Sequence, residues 1–303
     1  LKYKGTSISL IGIDKNYNSK RNNFFAFWLT DWMKDFDSLA QKKWFCWNFY
    51  LTNNHIKHET KDLPYCTIRY QDWKNYCLKG LENLSIKEFN VQSITNLKKY
   101  YGIKLENGEE IFAKKIYDSR TPKLENEKVK QHFFGYLIET KQIINSNSVT
   151  LMDFRVEQKM GLHFMYCLPI DENRMLVEST VFSSEIQEDA WYQKQILEYI
   201  ETKLNLSEYK IVDEEKGALP MYDIENKSSE NYINIGSRGG ATKISTGYAF
   251  SFFLKNIMLN FENINKAHHS YFDKWMDKVF VNYLKNNSGT EKIFINMAYY
   301  LNG

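Results

Sequence analysis

No run of about 18 consecutive apolar residues occurs in this 303-residue chain, so no segment has the character of a membrane-spanning helix. The four cysteines, Cys46, Cys66, Cys77 and Cys167, form no Cys-x-x-Cys pair and have no histidine at ligand spacing, so no metal site is expected. A reduced, cytosolic-type chain fits that usage. Basic residues are nowhere concentrated and the net charge is only +3, which argues against nucleic acid as a partner. Proline (4) and glycine (14) are scarce, and neither an internal repeat nor a low-complexity segment occurs. No Gly-x-Gly-x-x-Gly turn is present either.

Rings are abundant: 21 Tyr, 20 Phe and 7 Trp suit a large apolar pocket as well as an ordinary core. Residues 235–250 join a Gly-rich loop to a helix start. Ile233 and Ile235 read as the end of a buried strand, after which Gly236, Gly239 and Gly240 allow close passage of the backbone. Ser245 or Thr246 is placed to cap a helix beginning near Gly247, and such a turn suits a phosphate or an electron-rich ring. Lys243 could neutralise that group. At the other end, residues 7–14 are a short apolar run closing on Asp14, where a dinucleotide fold places the ribose-binding carboxylate. The strand and Gly-rich turn expected about 20 residues before such an acid are missing. The chain opens at Leu1, and residues 1–5 read as the last turn of a helix with a Gly stop, so a fragment is expected.

Residues 24–50 are crowded with rings, including Phe27 and Trp28. Strand patterning follows at 65–70, helical spacing at 71–84, and an antiparallel meander at 87–93, 98–105 and 110–117 with Asn107-Gly108 as a turn. Further strands are expected at 132–140, 148–156, 163–169 and 174–182, and an amphipathic helix at 188–203. From Tyr248 the pattern is helical, with a break at 286–289. The layout predicts an α/β (α+β) protein with a Rossmann-like FAD-binding domain, an inserted, mostly antiparallel sheet domain and C-terminal helices. Its parts are 1–125, 126–228 and 229–303.

Six motifs in register resemble the flavoprotein-type lycopene cyclase family of carotenoid biosynthesis. They are Gln131-His132-Phe133-Phe134-Gly135-Tyr136, Leu151-Met152-Asp153-Phe154-Arg155, Phe164-Met165-Tyr166-Cys167-Leu168-Pro169, Leu176-Val177-Glu178-Ser179-Thr180, Gly217-Ala218-Leu219-Pro220-Met221, and Gly239-Gly240 through Ser245-Thr246-Gly247-Tyr248-Ala249-Phe250. The resemblance implies an isomerase that closes the ends of lycopene into β-ionone rings with reduced FAD as cofactor and NADPH as electron donor. It also implies a lipid-soluble substrate and a cytoplasmic chain peripheral to a membrane. The resemblance would put Asp118 and Arg120 where the sheet excursion rejoins the nucleotide domain, near the flavin. Cofactor contacts are then expected from Asp14, Asp118, Gly236, Gly239, Gly240, Lys243, Thr246 and Gly247. The acid found in one bacterial branch two residues after the glycine is Leu137 here, and the nearest acid is Glu139. Asp153 and Glu178 each interrupt an apolar run, where a carboxyl is costly unless paired or functional. Asp153, Glu139 and Glu178 are thus the acid–base candidates, an ion pair of Asp153 with Arg155 not being expected. His132 and His163 read as structural. A flavin monooxygenase or reductase of the same fold, and a truncated chain unable to hold FAD, are the alternatives.

Overall fold

The computed structural model describes residues 9–19, 23–225, 227–260, 264 and 269–300. The helical turn expected at 1–5 and the first residues of the expected strand at 7–14 lie outside them. The chain forms β1 (Leu10–Ile13), β2 (Phe24–Trp28), a 3-10 helix (Asp31–Leu39), β3 (Lys42–Trp44), β4 (Cys46–Leu51), β5 (Asn54–Glu59), β6 (Tyr65–Arg69) and α1 (Tyr70–Leu78). Next come β7 (Leu84–Lys87), the meander β8 (Val91–Asn96), β9 (Tyr101–Leu105) and β10 (Glu110–Ala113), and β11 (Ile116–Asp118). The middle comprises β12 (Lys130–Thr140), β13 (Val149–Asp153), β14 (Leu162–Pro169), β15 (Arg174–Ser183), α2 (Asp189–Thr202) and β16 (Tyr209–Pro220). Finally β17 (Tyr232–Asn234) precedes α3 (Phe250–Asn260), α4 (Tyr271–Asn286) and α5 (Glu291–Tyr300).

A seven-stranded sheet in the order β16-β12-β15-β14-β13-β4-β5 dominates. Side chains alternate across it. Phe134, Tyr136 and Ile138 of β12 face α2 and pack on Ile196, Tyr199 and Ile200, and each such burial stabilises by roughly 1.5–3 kcal/mol. Gln131, Phe133, Gly135 and Leu137 take the opposite face. There Leu137 and Leu176 pack against Trp44 and Tyr65 of the small β2-β6-β3 sheet, and Phe164 and Phe182 meet Ile295 and Ala298 of α5. Two short parallel pairs, β1 with β7 and β11 with β17, form two further two-stranded sheets.

Several boundaries differ from the sequence reading for identifiable reasons. β16 contains Asp213-Glu214-Glu215-Lys216, whose charge hides an edge strand with its outer row exposed. β4 and β5 extend the large sheet, so that sheet is not confined to 126–228. The helix expected over 71–84 ends at Leu78, beside Gly80 at φ +80°. The meander's last strand breaks after Ala113, where the chain leaves β9 to pair with β17 instead. Helix α3 starts at Phe250, so Ser245 and Thr246 do not cap it. They lie in a turn in which the Thr246 and Gly247 amides both donate to the Lys243 carbonyl.

Candidate active site

Strand β17 delivers the Gly-rich loop. Residues Gly236–Gly239 form a single 3-10 turn, with Gly236 at φ +61° and Gly240 at φ +81°, in the left-handed region that glycine enters without a Cβ penalty. No atom stands within 4 Å of where a Cβ on Gly236 or Gly240 would lie, so bare backbone is presented there. Gly239 has the opposite reason to be glycine: its Cβ would stand 2.5 Å from the Asn234 carbonyl oxygen. Gly247 (φ +73°) sits over the Gln131 side chain, whose buried Oε1 has no hydrogen-bond partner among the described residues. The open backbone at Gly236 and Gly240 suits close approach of a planar or phosphate-bearing group, and the orphaned Gln131 acceptor under Gly247 suits a group that donates a hydrogen bond.

Asp118 ends β11 next to this loop, but its carboxylate is fully engaged. Arg120 donates from Nε (2.9 Å) and Nη2 (2.7 Å), the Tyr232 hydroxyl donates at 2.6 Å, and Arg238 approaches to 3.1 Å. Burial alone would raise its pKa, but the Arg120 and Tyr232 hydrogen bonds outweigh it and hold the carboxyl down at about 2. Asp118 therefore fixes the loop through Arg238, which also donates to Asn234, rather than offering a free oxygen to a cofactor. Lys243 likewise departs from expectation: its ammonium pairs with the buried Asp277 of α4 at 3.1 Å. Asp14 follows directly on β1, half-buried, and accepts the Asn16 amide at 2.9 Å.

The face of the large sheet that packs against the small β2-β6-β3 sheet carries a polar cluster set in rings. Register places Glu178 of β15 opposite Gly135 on one side and Tyr166 of β14 on the other, and Glu215 of β16 opposite Gly135 in turn. Glu178 is 9% exposed and its Oε1 accepts the Thr180 hydroxyl at 2.5 Å. Burial, reinforced by the Glu215 charge, pushes its carboxyl up to about 8, so it holds a proton at neutral pH. Tyr65 links Tyr166 (2.8 Å) to Tyr248 (3.2 Å) of the loop, joining loop and sheet face by hydroxyls. Trp28 stands 4.8 Å from Tyr65 and 5.5 Å from Tyr248 between ring centroids, so it belongs to this wall. Phe27 instead packs in the core against Phe250.

Of the three acid candidates, the structure brings only Glu178 to this face. Asp153 is fully buried on the α2 side. Arg155 grips it at 2.9 Å and 2.5 Å, and the Tyr199 hydroxyl donates at 2.7 Å. The ion pair forms because β13 ends at Asp153 and the chain turns, so that the Arg155 amide also donates to Oδ1. Glu139 is exposed near Lys210 at 3.7 Å, beyond a register shift that follows Leu137. His132 bonds Ser183 and Tyr192, and His163 bonds Ser179 and the Glu157 carbonyl, both as interior structural groups. Glu215 and Asn23 escaped the sequence reading. A carboxyl opposite a glycine in the strand pairing is a signal visible only once β16 is recognised.

The family described as lycopene cyclase protein matches residues 2–275. No curated protein sequence matches closely. Among solved structures, a geranylgeranyl bacteriochlorophyll reductase-like protein from Thermoplasma acidophilum superposes with a TM-score of 0.64 at 10% identity, over 90% of this chain and 76% of that one. A flavin-dependent brominase does so with 0.55 at 13% identity, over 97% and 81%. A halogenase variant in complex with FAD gives 0.50 at 10% identity, over 88% and 59%. These likenesses speak for a shared Rossmann-like flavoprotein fold. With the family match covering most of its length, the chain belongs to the lycopene cyclase family.

Proposed function

We propose that this chain is a lycopene cyclase in activity, an isomerase that closes the ends of the linear polyene into β-ionone rings without net redox change. The observation that carries the reading is Glu178, a carboxyl buried beside Tyr166 and its hydroxyl partners Tyr65 and Tyr248, where burial raises its proton affinity. Its O–H gives the proton to a terminal double bond. The neighbouring double bond attacks the carbocation so formed, closing the ring. Loss of a ring proton, which the new Glu178 carboxylate can accept, restores the acid and balances charge. Trp28, Tyr65 and Tyr248 line the site with ring faces, which attract a cation in a dry pocket. Gly236, Gly240 and Gly247 would hold FAD, with Asp14 toward its ribose and Gln131 beneath. When bound and kept reduced by NADPH, FAD supplies electron density near the cation.

The substrate dissolves only in lipid, so the reading includes a cytoplasmic chain that visits a membrane surface. No helix among the described residues is long and apolar enough to cross one. Support comes from α4, which exposes Tyr271, Phe272, Trp275 and Met276. Pigment analysis of lycopene-accumulating cells expressing the protein tests the proposal. Replacement of lycopene by γ- or β-carotene is expected. Unchanged lycopene alongside flavin-loaded protein contradicts it, and an oxygenated product would assign the chain to monooxygenase chemistry instead.

A further inference from the structure

We propose that Glu215 is a positioning residue for the acid: its carboxylate, pinned by Asn23 and set across Gly135 from Glu178, holds the negative charge and so keeps the proton on Glu178. This rests on the reading of Glu178 as the acid. β15 and β16 both pair with β12, so Glu178 and Glu215 sit two strand spacings apart, roughly 10 Å between backbones. A side chain at the intervening position would separate them. That position is glycine, and a Cβ built there would lie 3.4 Å from Glu178 Cβ and 3.4 Å from Glu215 Cγ. The Glu215 side chain therefore reaches over Gly135 toward Glu178, with the end of Leu176 beside it at the same 3.4 Å.

The groups around them are Thr180, Tyr166, Tyr65 and Tyr248 toward Glu178, and Asn23 and Asp213 toward Glu215. None is a cation, and among the described residues neither carboxylate has an ion-pair partner. Two buried carboxyls that feel each other's charge cannot both ionise cheaply, so the pair retains one proton. Its location follows from the hydrogen bonds. Asn23 Nδ2 donates to Glu215 Oε2 at 2.7 Å, and an amide N–H can only donate, which favours the charged form. The Thr180 hydroxyl can accept as readily as donate, so it serves a protonated Glu178 equally well. Glu178 is also the more deeply buried of the two, and burial disfavours its charge more. Asp213 works the other way by raising Glu215, but it stands opposite Leu137, two residue pairs along the strand pairing from Gly135. A small groove whose lining includes Asn23, Phe24, Leu137, Leu176 and Glu215 opens on the Glu215 side of the pair.

The test is a carbon NMR titration of carboxyl-labelled glutamate in the purified chain, without substrate. One carboxyl is expected to stay protonated to about pH 8 and to vanish in Glu178→Gln, which assigns it. In Glu215→Gln the same signal should titrate at least about one unit lower, a tenfold loss of proton affinity, because the neighbouring charge is gone. An unmoved titration overturns the proposal. Asn23→Leu serves should Glu215→Gln not fold. It should split the proton between Glu178 and Glu215, and an undivided Glu178 signal overturns the assignment to Asn23. The alkaline limb of cyclisation should shift in parallel in Glu215→Gln. A shifted titration without any cyclisation leaves the pair standing while the activity reading falls.

Discussion

Asp153 and Glu178 pose the same question at the scale of single residues, since each is a carboxyl inside an apolar strand. What separates them is a counter-charge. Arg155 saturates Asp153, whereas Glu178 faces another carboxylate. Asp153→Asn should therefore act on stability, costing on the order of 3 kcal/mol by leaving Arg155 unmatched, with flavin content and cyclisation retained in the folded fraction. Thermal unfolding measures it, and a fully stable but inactive variant would reinstate Asp153 as the acid. Glu139→Gln, on an exposed strand end, should stay within about 0.5 kcal/mol of the parent and keep its activity. The sequence made both buried carboxyls visible through their apolar neighbours. It could not show which of them was paired, because Arg155 reaches Asp153 only through a turn at the end of β13. Glu215 was illegible for a different reason: its neighbours Asp213, Glu214 and Lys216 read as solvated charge.

Among the elements, the strand-to-loop unit formed by β17 and the glycines was legible from composition alone, because three glycines in five residues demand unusual backbone. The roles of the individual glycines were not. Gly239→Ala drives a Cβ into the Asn234 carbonyl, so β17 must shift, at roughly 1–3 kcal/mol. Gly240→Ala meets no atom but must hold a left-handed φ, at about 1–2 kcal/mol. The two should differ in kind: Gly239→Ala should lower the melting temperature of flavin-free protein more, while flavin affinity falls in both. Equal melting temperatures would contradict the placement of Gly239. Long strands such as β12 and β15 were read nearly to the residue because alternating patterns survive in a buried sheet. β16 and the addition of β4 and β5 to that sheet were missed, since edge position and long-range pairing leave little trace in local sequence.

For the whole molecule, three buried titratable groups set opposite limits on pH. Burial lowers His132 and His163 to about 4, so each is neutral when folded. Their contribution is complete above the unfolded value near 6.5 and is lost as pH falls toward 4, as denaturant unfolding across that range should show. Glu178, raised to about 8, stabilises most below the unfolded carboxylate range, and that contribution fades as pH rises through 8. Cyclisation should decline over the same alkaline range, because the acid loses its proton. β11 and β17, which flank β12 to β16 in sequence, pair with each other, and the Tyr166–Tyr65–Tyr248 hydroxyl chain ties the end of the glycine loop to the sheet face that carries Glu178. That arrangement is tested most directly by incubating lycopene in D2O with reduced, flavin-loaded parent protein and with Glu178→Gln, and weighing the products. The parent should yield rings that carry one deuterium each and no oxygen, while Glu178→Gln with equal flavin content yields none. Deuterated rings formed by Glu178→Gln at the parent's rate, or oxygen in the product, would contradict Glu178 as the acid of a redox-neutral cyclase.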